Sequence, residues 1–67
     1  MAFHLDRATF TVTRQELGWA VEHGGIFYDF SLIRDEVVAS ASRRARASNA
    51  NGWPAQIRVQ GEPSFGR

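Results

Sequence analysis

The amino-acid sequence predicts an α+β protein in which one helix packs on one face of a small, antiparallel-rich sheet. Three observations lead to this architecture: strand-like alternation over 10–30, a segment without proline or glycine over 32–48, and renewed alternation over 55–60. A period of two is typical of half-buried strands, whereas apolar spacings of three and four are typical of an amphipathic helix. The predicted order of elements is therefore β-β-β-α-β.

The first two strands form a predicted hairpin around a polar turn at 14–18. Phe10 and Val12 alternate with threonines in the first strand, and Trp19 and Val21 hold the equivalent positions in the second. Threonine suits a solvated strand face because its β-branched side chain fits the pleated surface. The hairpin is therefore expected to have one apolar face, which carries a tryptophan, and one polar face.

Paired glycines at 24–25 form a second turn signal, since glycine adopts positive φ without steric cost. The next five residues, Ile26-Phe27-Tyr28-Asp29-Phe30, are rich in aromatic side chains and predict a third antiparallel strand. Strict alternation puts Ile26, Tyr28 and Phe30 on one side. It puts Phe27 and Asp29 on the opposite side.

Ser31 is the predicted N-cap of the helix, because its hydroxyl can accept a hydrogen bond from a backbone N–H two or three residues on. The helix then runs from residue 32 to about residue 48 along an apolar stripe. Carboxylates near its start and arginines near its end complement the helix dipole. The segment 49–52 holds asparagine and glycine and predicts the stop, with either residue available for a left-handed cap.

Trp53 and Pro54 turn the chain back into the last predicted strand, 55–60. The whole chain, 1–67, is expected to be one domain with an ordered core over about 9–61, a flexible N-terminal arm and a flexible C-terminal tail. The predicted buried face consists of the following side chains: Phe10, Val12, Trp19, Val21, Tyr28, Phe30, Ile57 and Val59 of the sheet, and Ile33, Val37, Ala41 and Ala45 of the helix.

The chain has 67 residues and no cysteine, so few devices are available to stabilise it. Ordering a chain costs about 1.5 kcal/mol per residue, which in so small a domain roughly cancels the hydrophobic gain. Disulfides and thiolate metal sites are excluded. The two histidines, His4 and His23, have no carboxylates at a ligand-like spacing, so no metal or cofactor is expected. Self-association is the remaining way to stabilise so short a chain, and a homodimer is predicted.

The formal net charge of +1 neither demands nor excludes an anionic partner. All eight basic residues are arginine, which reflects either coding bias or a use of bidentate contacts with phosphate or carboxylate. No apolar run approaches the roughly 20 residues of a membrane span. The N-terminus lacks the basic segment and apolar core of a signal peptide. A cytoplasmic protein without membrane contact is expected.

Four segments, taken in order, resemble a family of short prokaryotic proteins catalogued as a domain of unknown function. They are Phe10-Thr11-Val12, Gly18-Trp19-Ala20-Val21, the helix from Glu36-Val37-Val38 to Arg46, and Ile57-Arg58-Val59-Gln60-Gly61. The helix here holds more serine and β-branched residues than the alanine-rich family pattern, and the ending is less glycine-rich and basic. The resemblance implies the fold and the length of the chain, and it implies no activity.

An arginine cluster near the end of the predicted helix, Arg43, Arg44 and Arg46, is the candidate anion contact. An exposed basic helix end can meet the phosphates of a nucleic acid. The alternative is that these arginines form the solvated face of an amphipathic helix, with Asp35 and Glu36 diluting their field. The sequence favours the interpretation that these arginines form a solvated helix face and not an anion contact.

The candidate interaction surface has three named residues: Phe27 and Arg58, on the sheet face turned away from the helix, and Trp53, beside the turn proline. A small sheet with one helix leaves one face uncovered, which favours self-association. An aromatic beside an arginine on an open sheet also suits stacking on RNA bases. Trp19 is expected in the core, whereas Trp53 is either a lid on the core or an exposed contact.

No catalytic arrangement is expected. The pairs Glu22–His23 and His4–Asp6 are the acid–base candidates. Glu22 and His23 are neighbours in a strand and therefore point to opposite faces, which argues against their acting together. No nucleophile elbow, phosphate-binding loop or zinc spacing occurs in the sequence. The predicted function is therefore that of a small non-catalytic protein-interaction module that self-associates. The alternative is a nucleic-acid-binding accessory protein that uses the arginine-rich helix end.

Overall fold

The computed structural model describes residues 8–61 and confirms the predicted class and order of elements. Four strands form one sheet, and a single helix, α1, packs on it. The elements are β1 (Ala8–Arg14), β2 (Trp19–His23), β3 (Ile26–Ser31), α1 (Arg34–Ala50) and β4 (Ala55–Val59). The flexible arm and tail predicted from the sequence lie outside the described residues, except that Ala8 begins β1 and Gly61 follows β4.

The sheet is mixed, with the strand order β3-β2-β1-β4. Strands β1, β2 and β3 form an antiparallel meander, in which Val12 lies opposite Val21 and Glu22 lies opposite Phe27. The helix then carries the chain back across the sheet, so that β4 pairs in parallel with β1 and places Ile57 beside Phe10. Side-by-side residues of paired strands share a face, which assigns every strand residue to one side of the sheet.

The core lies between α1 and one face of the sheet. Val12, Val21, Val37 and Ala41 are completely buried there, with Phe10 and Ala45 almost so. The small side chains along the buried stripe of α1 let the helix lie close to the strands, as the sequence predicts. Burial of apolar area contributes about 25 cal/mol per Å², so this compact set supplies most of the hydrophobic stabilisation of the fold.

Six predicted core residues are less buried than expected. Trp19, Tyr28 and Val59 are half-buried and pack against the rim of the core. Phe30, Ile33 and Ile57 are exposed, and their prediction as core residues is wrong. Ile33 precedes the helix and does not belong to its stripe, and Ile57 lies on an edge strand that no further strand flanks in the described structure. The position of Phe30 has a separate cause.

A β-bulge in β3 moves Phe30 to the other face of the sheet. Trp19 pairs with Ser31 and Val21 with Tyr28, so one residue of β2, Ala20, lies opposite two residues of β3. The bulged residue is Asp29, whose φ of 57° belongs to the left-handed region. A bulge reverses the alternation beyond it. The predicted sides of Asp29 and Phe30 are therefore both wrong: the carboxylate of Asp29 reaches α1, and Phe30 turns away from it.

The helix begins two residues later than the sequence predicts, at Arg34, with Ile33 as its N-cap. The hydroxyl of Ser31 accepts a hydrogen bond from the Ile33 N–H at 3.0 Å, as expected of a cap, and donates one to Glu36 at 2.8 Å. Ser31 nevertheless remains in β3, so these bonds fix the turn between strand and helix. The predicted stop is confirmed, because α1 ends at Ala50 and Gly52 follows with a φ of 89°.

Candidate interaction surfaces

The sheet has one face that α1 does not cover, and this face is called the open face below. Its residues follow from the strand registers and from the bulge. They are Thr9, Thr11 and Thr13 of β1, Ala20 and Glu22 of β2, Phe27 and Phe30 of β3, and Gln56 and Arg58 of β4. The predicted polar character of this face is confirmed for β1 and β4, whereas β3 makes its edge aromatic.

The two phenylalanines are the apolar feature of the open face. Phe27 is 55% exposed and Phe30 is 58% exposed. Phe27 lies opposite Glu22, and Phe30 lies beside Ala20, so both side chains lie on the open face along β3. The ring of Phe30 also reaches the turn before β2, where a Cβ on Gly18 would lie 2.9 Å from Phe30 Cζ. Two exposed rings thus line one edge of the face.

One row of side chains runs straight across the open face from this aromatic edge to the opposite edge. It consists of Phe27, Glu22, Thr11 and Arg58, one residue from each strand in the order of the sheet. At about 4.8 Å between strands, Phe27 and Arg58 are about 14 Å apart. Arg58 makes no ion pair within residues 8–61, while one oxygen of Glu22 accepts a hydrogen bond from the Gly25 N–H at 2.8 Å. The row carries opposite charges two strands apart.

Side-chain hydrogen bonds hold the β1–β4 side of the open face. The amide oxygen of Gln60 accepts from the Thr13 hydroxyl and from the Arg14 N–H, both at 2.7 Å. The amide nitrogen of Gln56 donates to the Thr9 hydroxyl at 3.0 Å. These bonds satisfy polar groups on the surface and fix the parallel pair in register. The polar half of the face is therefore preorganised.

The predicted arginine cluster does not act as one group in the structure. Arg44 turns to the sheet, where its Nε donates to Asp29 Oδ2 at 2.6 Å and its guanidinium carbon lies 4.3 Å from the centre of the Tyr28 ring. Arg43 and Arg46 are exposed on α1. Arg43 lines a groove of about 390 Å³ between β3 and α1 that also contains Asp29 and Glu36. The carboxylates beside the cluster weaken it as an anion contact.

Asp29 joins β3 to α1. Its carboxylate accepts hydrogen bonds from the guanidinium of Arg44 and from the hydroxyl of Ser40. The Arg44 hydrogen bond, followed by that of Ser40, holds the pKa of Asp29 below its usual value, against a smaller opposing effect of desolvation. The same bond raises the pKa of Arg44. This contact replaces the solvent-facing position that alternation predicts for Asp29.

Trp53 lies at the turn between α1 and β4 and is 59% exposed, which favours the contact interpretation over the lid. Its backbone is fixed to the end of the helix: the Trp53 N–H donates to the Ser48 carbonyl, and the Ser48 hydroxyl donates to the Trp53 carbonyl, both at 2.9 Å. The turn is therefore ordered by the main chain, and the indole is left on the surface. It does not belong to the open face.

Trp19 lines a cleft beside two arginines, an arrangement that the sequence does not reveal. Two guanidinium carbons approach its ring centre, that of Arg14 at 5.5 Å and that of Arg34 at 5.9 Å. A cleft of about 370 Å³ is lined by these three residues together with Gln60 and Gly61. Arg14 could be found from the hairpin register, because it lies directly opposite Trp19. Arg34 comes from the start of α1, and only the tertiary fold brings it there.

Within the described part of the chain, no group of three or more histidine, cysteine, aspartate or glutamate side chains is arranged to hold a metal ion. Residues 8–61 also contain no helix with the length and apolar character that crossing a membrane requires. His23 is half-buried, stacks on Phe10 with ring centres 4.5 Å apart, and its Nδ1 lies 3.1 Å from the Thr9 carbonyl oxygen. Its ring is thus part of the packing between β1 and β2.

A scan against protein-family models finds no match, and searches of curated proteins and of solved structures find none either. The resemblance to a prokaryotic family of unknown function therefore stays a prediction.

Proposed function

We propose that the protein is a small non-catalytic interaction module that self-associates through the open face of its sheet. The observation that carries the proposal is that two exposed rings, Phe27 and Phe30, lie along one edge of a sheet face that no element of the described structure covers. Contiguous exposed apolar surface commonly marks a protein interface. Aromatic side chains also contribute more than most others to interface affinity.

The charges of the open face are complementary to a second copy of the same face. A two-fold axis parallel to the strands and above β1 exchanges the positions of β2 and β4. It places Glu22 of one protomer over Arg58 of the other, and the reverse contact forms by symmetry. β3 of each protomer then lies one strand beyond β4 of its partner, so Phe27 lies beside Arg58 of the other protomer and at the rim of the interface. Such a face-to-face arrangement keeps the strands aligned, as in packed sheets about 10 Å apart. A closed dimer with an isologous interface follows.

The core of this domain is small, which favours stabilisation by self-association. Among residues 8–61, the largest fully buried side chains are three valines, Val12, Val21 and Val37. Domains of this size bury a smaller fraction of their surface than larger ones and are close to marginal stability. Contact of the phenylalanine edge with the outer strand of the partner removes further apolar surface from water. Association therefore stabilises the folded chain as well as the complex.

The test is sedimentation equilibrium across a wide concentration range, with Phe27→Asp and Phe30→Asp as variants. The parent protein should populate a dimer, and each variant should shift toward monomer, because it removes an aromatic ring from the interface. Trp53→Asp is the matched control, since Trp53 is exposed to the same extent and lies off the open face. A parent protein that is monomeric at every accessible concentration refutes the proposal. A dimer that survives both phenylalanine variants shows that another surface mediates it.

The second candidate function is nucleic-acid binding. Phe27 and Arg58 lie in the same row of the open face, and exposed aromatics with arginine on a sheet suit stacking on single-stranded bases. Arg43 and Arg46 are further exposed cations. Binding to oligonucleotides that weakens steeply with salt would support this function. Absence of binding at low salt to both duplex and single-stranded oligonucleotides would exclude it.

A further inference from the structure

The end of α1 holds both asparagines of the chain, and one of them precedes a glycine. Asn49 lies in the last turn of the helix, and its Oδ1 accepts a hydrogen bond from the Ala55 N–H at 3.0 Å. Asn51 is the C-cap, is exposed, and makes no side-chain hydrogen bond within residues 8–61. Around Gly52, no atom lies within 4 Å of the place that a Cβ would take. The two side-chain amides therefore differ both in freedom and in the residue that follows them.

An asparagine that precedes glycine can react with its own main chain. The Gly52 nitrogen gives its proton to a base in the solvent and attacks Asn51 Cγ; the new N–Cγ bond closes a five-membered succinimide, and Nδ2 leaves as ammonia. Water then breaks one of the two bonds from this nitrogen to a ring carbonyl. Breaking the bond to Cγ gives aspartate, and breaking the bond to the Asn51 carbonyl carbon gives isoaspartate. Glycine favours the attack because it has no side chain to obstruct its nitrogen.

The folded turn opposes the first step of this reaction. Asn51 has a ψ of 8°, which places the Gly52 nitrogen beside the Asn51 nitrogen and away from Cβ, whereas ring closure needs that nitrogen and Cβ on the same side. The Gly52 N–H also donates to the Asn49 carbonyl at 3.0 Å. Rotation about the Asn51 Cα–C bond therefore has to break this hydrogen bond before attack. The reactive conformation belongs to an opened helix end, and helix ends fray readily.

Ser48 holds this turn closed. Its carbonyl accepts hydrogen bonds from the Asn51 N–H at 3.1 Å and from the Trp53 N–H at 2.9 Å. Its hydroxyl donates in return to the Trp53 carbonyl at 2.9 Å. The hydroxyl bond is the only one of these three that comes from a side chain, so a substitution can remove it while the main-chain bonds remain. Its loss should make opening of the turn more frequent.

From this geometry we infer that Asn51 is a site of spontaneous modification, where the folded chain forms a succinimide with Gly52 and then aspartate and isoaspartate, at a rate that the Ser48 hydroxyl lowers. The product carries a carboxylate at the C-terminus of α1, where the helix dipole disfavours negative charge. Isoaspartate also adds one atom to the main chain between α1 and β4. The site lies outside the open face, so the inference does not depend on the proposed dimer.

Peptide mapping of the full chain tests the site. The protein is incubated at neutral and at mildly alkaline pH and then cleaved after arginine, so that one fragment, 47–58, carries both asparagines. Mass spectrometry with fragmentation locates the new carboxyl group, and a sample taken at time zero measures conversion during digestion. Asn51 should convert while Asn49 keeps its amide. The rate should rise with pH, because the attacking nitrogen has to lose its proton, and should be higher still in urea.

One serine variant and a matched control test the role of the turn. Ser48→Ala should raise the rate of Asn51 conversion about fivefold, the effect that loss of one hydrogen bond has on an opening equilibrium. Ser42→Ala makes the same change in the same helix, at a half-buried hydroxyl without a hydrogen bond in the described residues, and should leave the rate unchanged. Circular dichroism confirms that both variants are folded.

Three outcomes would overturn the inference. Retention of the Asn51 amide in the folded chain, over a period in which the chain in urea converts, would show that the folded turn excludes the reaction. Equal conversion of Asn49 and Asn51 would show that Gly52 does not direct it. Equal rates in Ser48→Ala and Ser42→Ala would show that the Ser48 hydroxyl does not control opening. The first two outcomes refute the site, and the third refutes its control by Ser48.

Discussion

Asp29 shows how one residue sets the local structure of this protein. A φ of 57° is unfavourable for most side chains, and aspartate is among the few residues that adopt it readily. In this conformation the carboxylate points to α1, where Arg44 and Ser40 donate to it. The backbone conformation and the ion pair therefore support each other. Together they determine where Phe30 points.

Replacement of Asp29 by asparagine separates the charge from the backbone conformation, because asparagine also tolerates positive φ. We expect Asp29→Asn to lower the free energy of unfolding by about 1 kcal/mol at neutral pH. A hydrogen-bonded charge is worth about 1.5–3 kcal/mol, and both side chains here are about a third exposed, which reduces that value. Urea unfolding followed by circular dichroism measures the difference. Asp35→Asn, at an exposed carboxylate, is the control and should change stability by less than about 0.5 kcal/mol.

The stability difference should depend on pH in a defined direction. The pKa of Asp29 is lowered in the folded chain, so its contribution is fully present above the pKa of an unfolded aspartate, about 3.9. That contribution disappears as the pH falls through the lower, folded pKa, where the carboxylate becomes protonated. The parent and Asp29→Asn should therefore converge in stability in strong acid. A difference that stays constant across this range would show that Arg44 does not stabilise the charged form.

At the scale of elements, the contact between the hairpin turn and β3 depends on Gly18. A Cβ at this position would lie 2.6 Å from the Ser31 carbonyl oxygen and 2.9 Å from Phe30 Cζ. Real Cβ atoms do not approach a backbone oxygen so closely, so β2 and β3 would have to separate. The bulge is the reason for the close approach, because it brings the residues after Asp29 toward the start of β2.

We expect Gly18→Ala to destabilise the fold by about 1–3 kcal/mol, the usual cost of overpacking. The double variant Gly18→Ala/Phe30→Ala removes the ring contact and leaves the clash with the Ser31 carbonyl, so it should not recover the stability. Thermal unfolding of the parent, both single variants and the double variant measures this. Full recovery of stability in the double variant would show that contact with the Phe30 ring is the only reason why residue 18 has to be glycine.

At the scale of the whole molecule, the proposed dimer depends on the charge pattern of the open face. Glu22 and Arg58 lie two strands apart in the same row, with Thr11 between them. This spacing is self-complementary only about an axis above β1. Contacts between the phenylalanine edges of two protomers are compatible with several dimer geometries. The charges select one of these geometries. Electrostatic complementarity of this kind contributes mainly to specificity.

A charge exchange tests this geometry. Glu22→Arg and Arg58→Glu should each weaken dimerisation about tenfold, because each places like charges opposite one another across the interface. The double variant Glu22→Arg/Arg58→Glu restores opposite pairs and should recover most of the affinity. Sedimentation equilibrium at low salt gives the three dissociation constants. If the loss of dimerisation free energy in the double variant equals the sum of the losses in the two single variants, the two residues do not face each other in the dimer.

Local sequence patterns are sufficient to predict the order of elements, the turns at glycine and the apolar stripe of α1. Each of these follows from a local period or a local backbone preference, so no distant residue is needed to predict it. Val12, Val21, Val37 and Ala41 are core residues as the pattern indicates.

Packing between distant elements determines which side chains face outward at the edges of the sheet. Alternation cannot reveal the bulge at Asp29, because the bulge is stabilised by Arg44, fifteen residues away in the chain. The same limit applies to the cleft at Trp19, where Arg34 arrives only when α1 packs on the sheet. Both candidate surfaces therefore depend on contacts between elements, which a periodic pattern within one element does not encode.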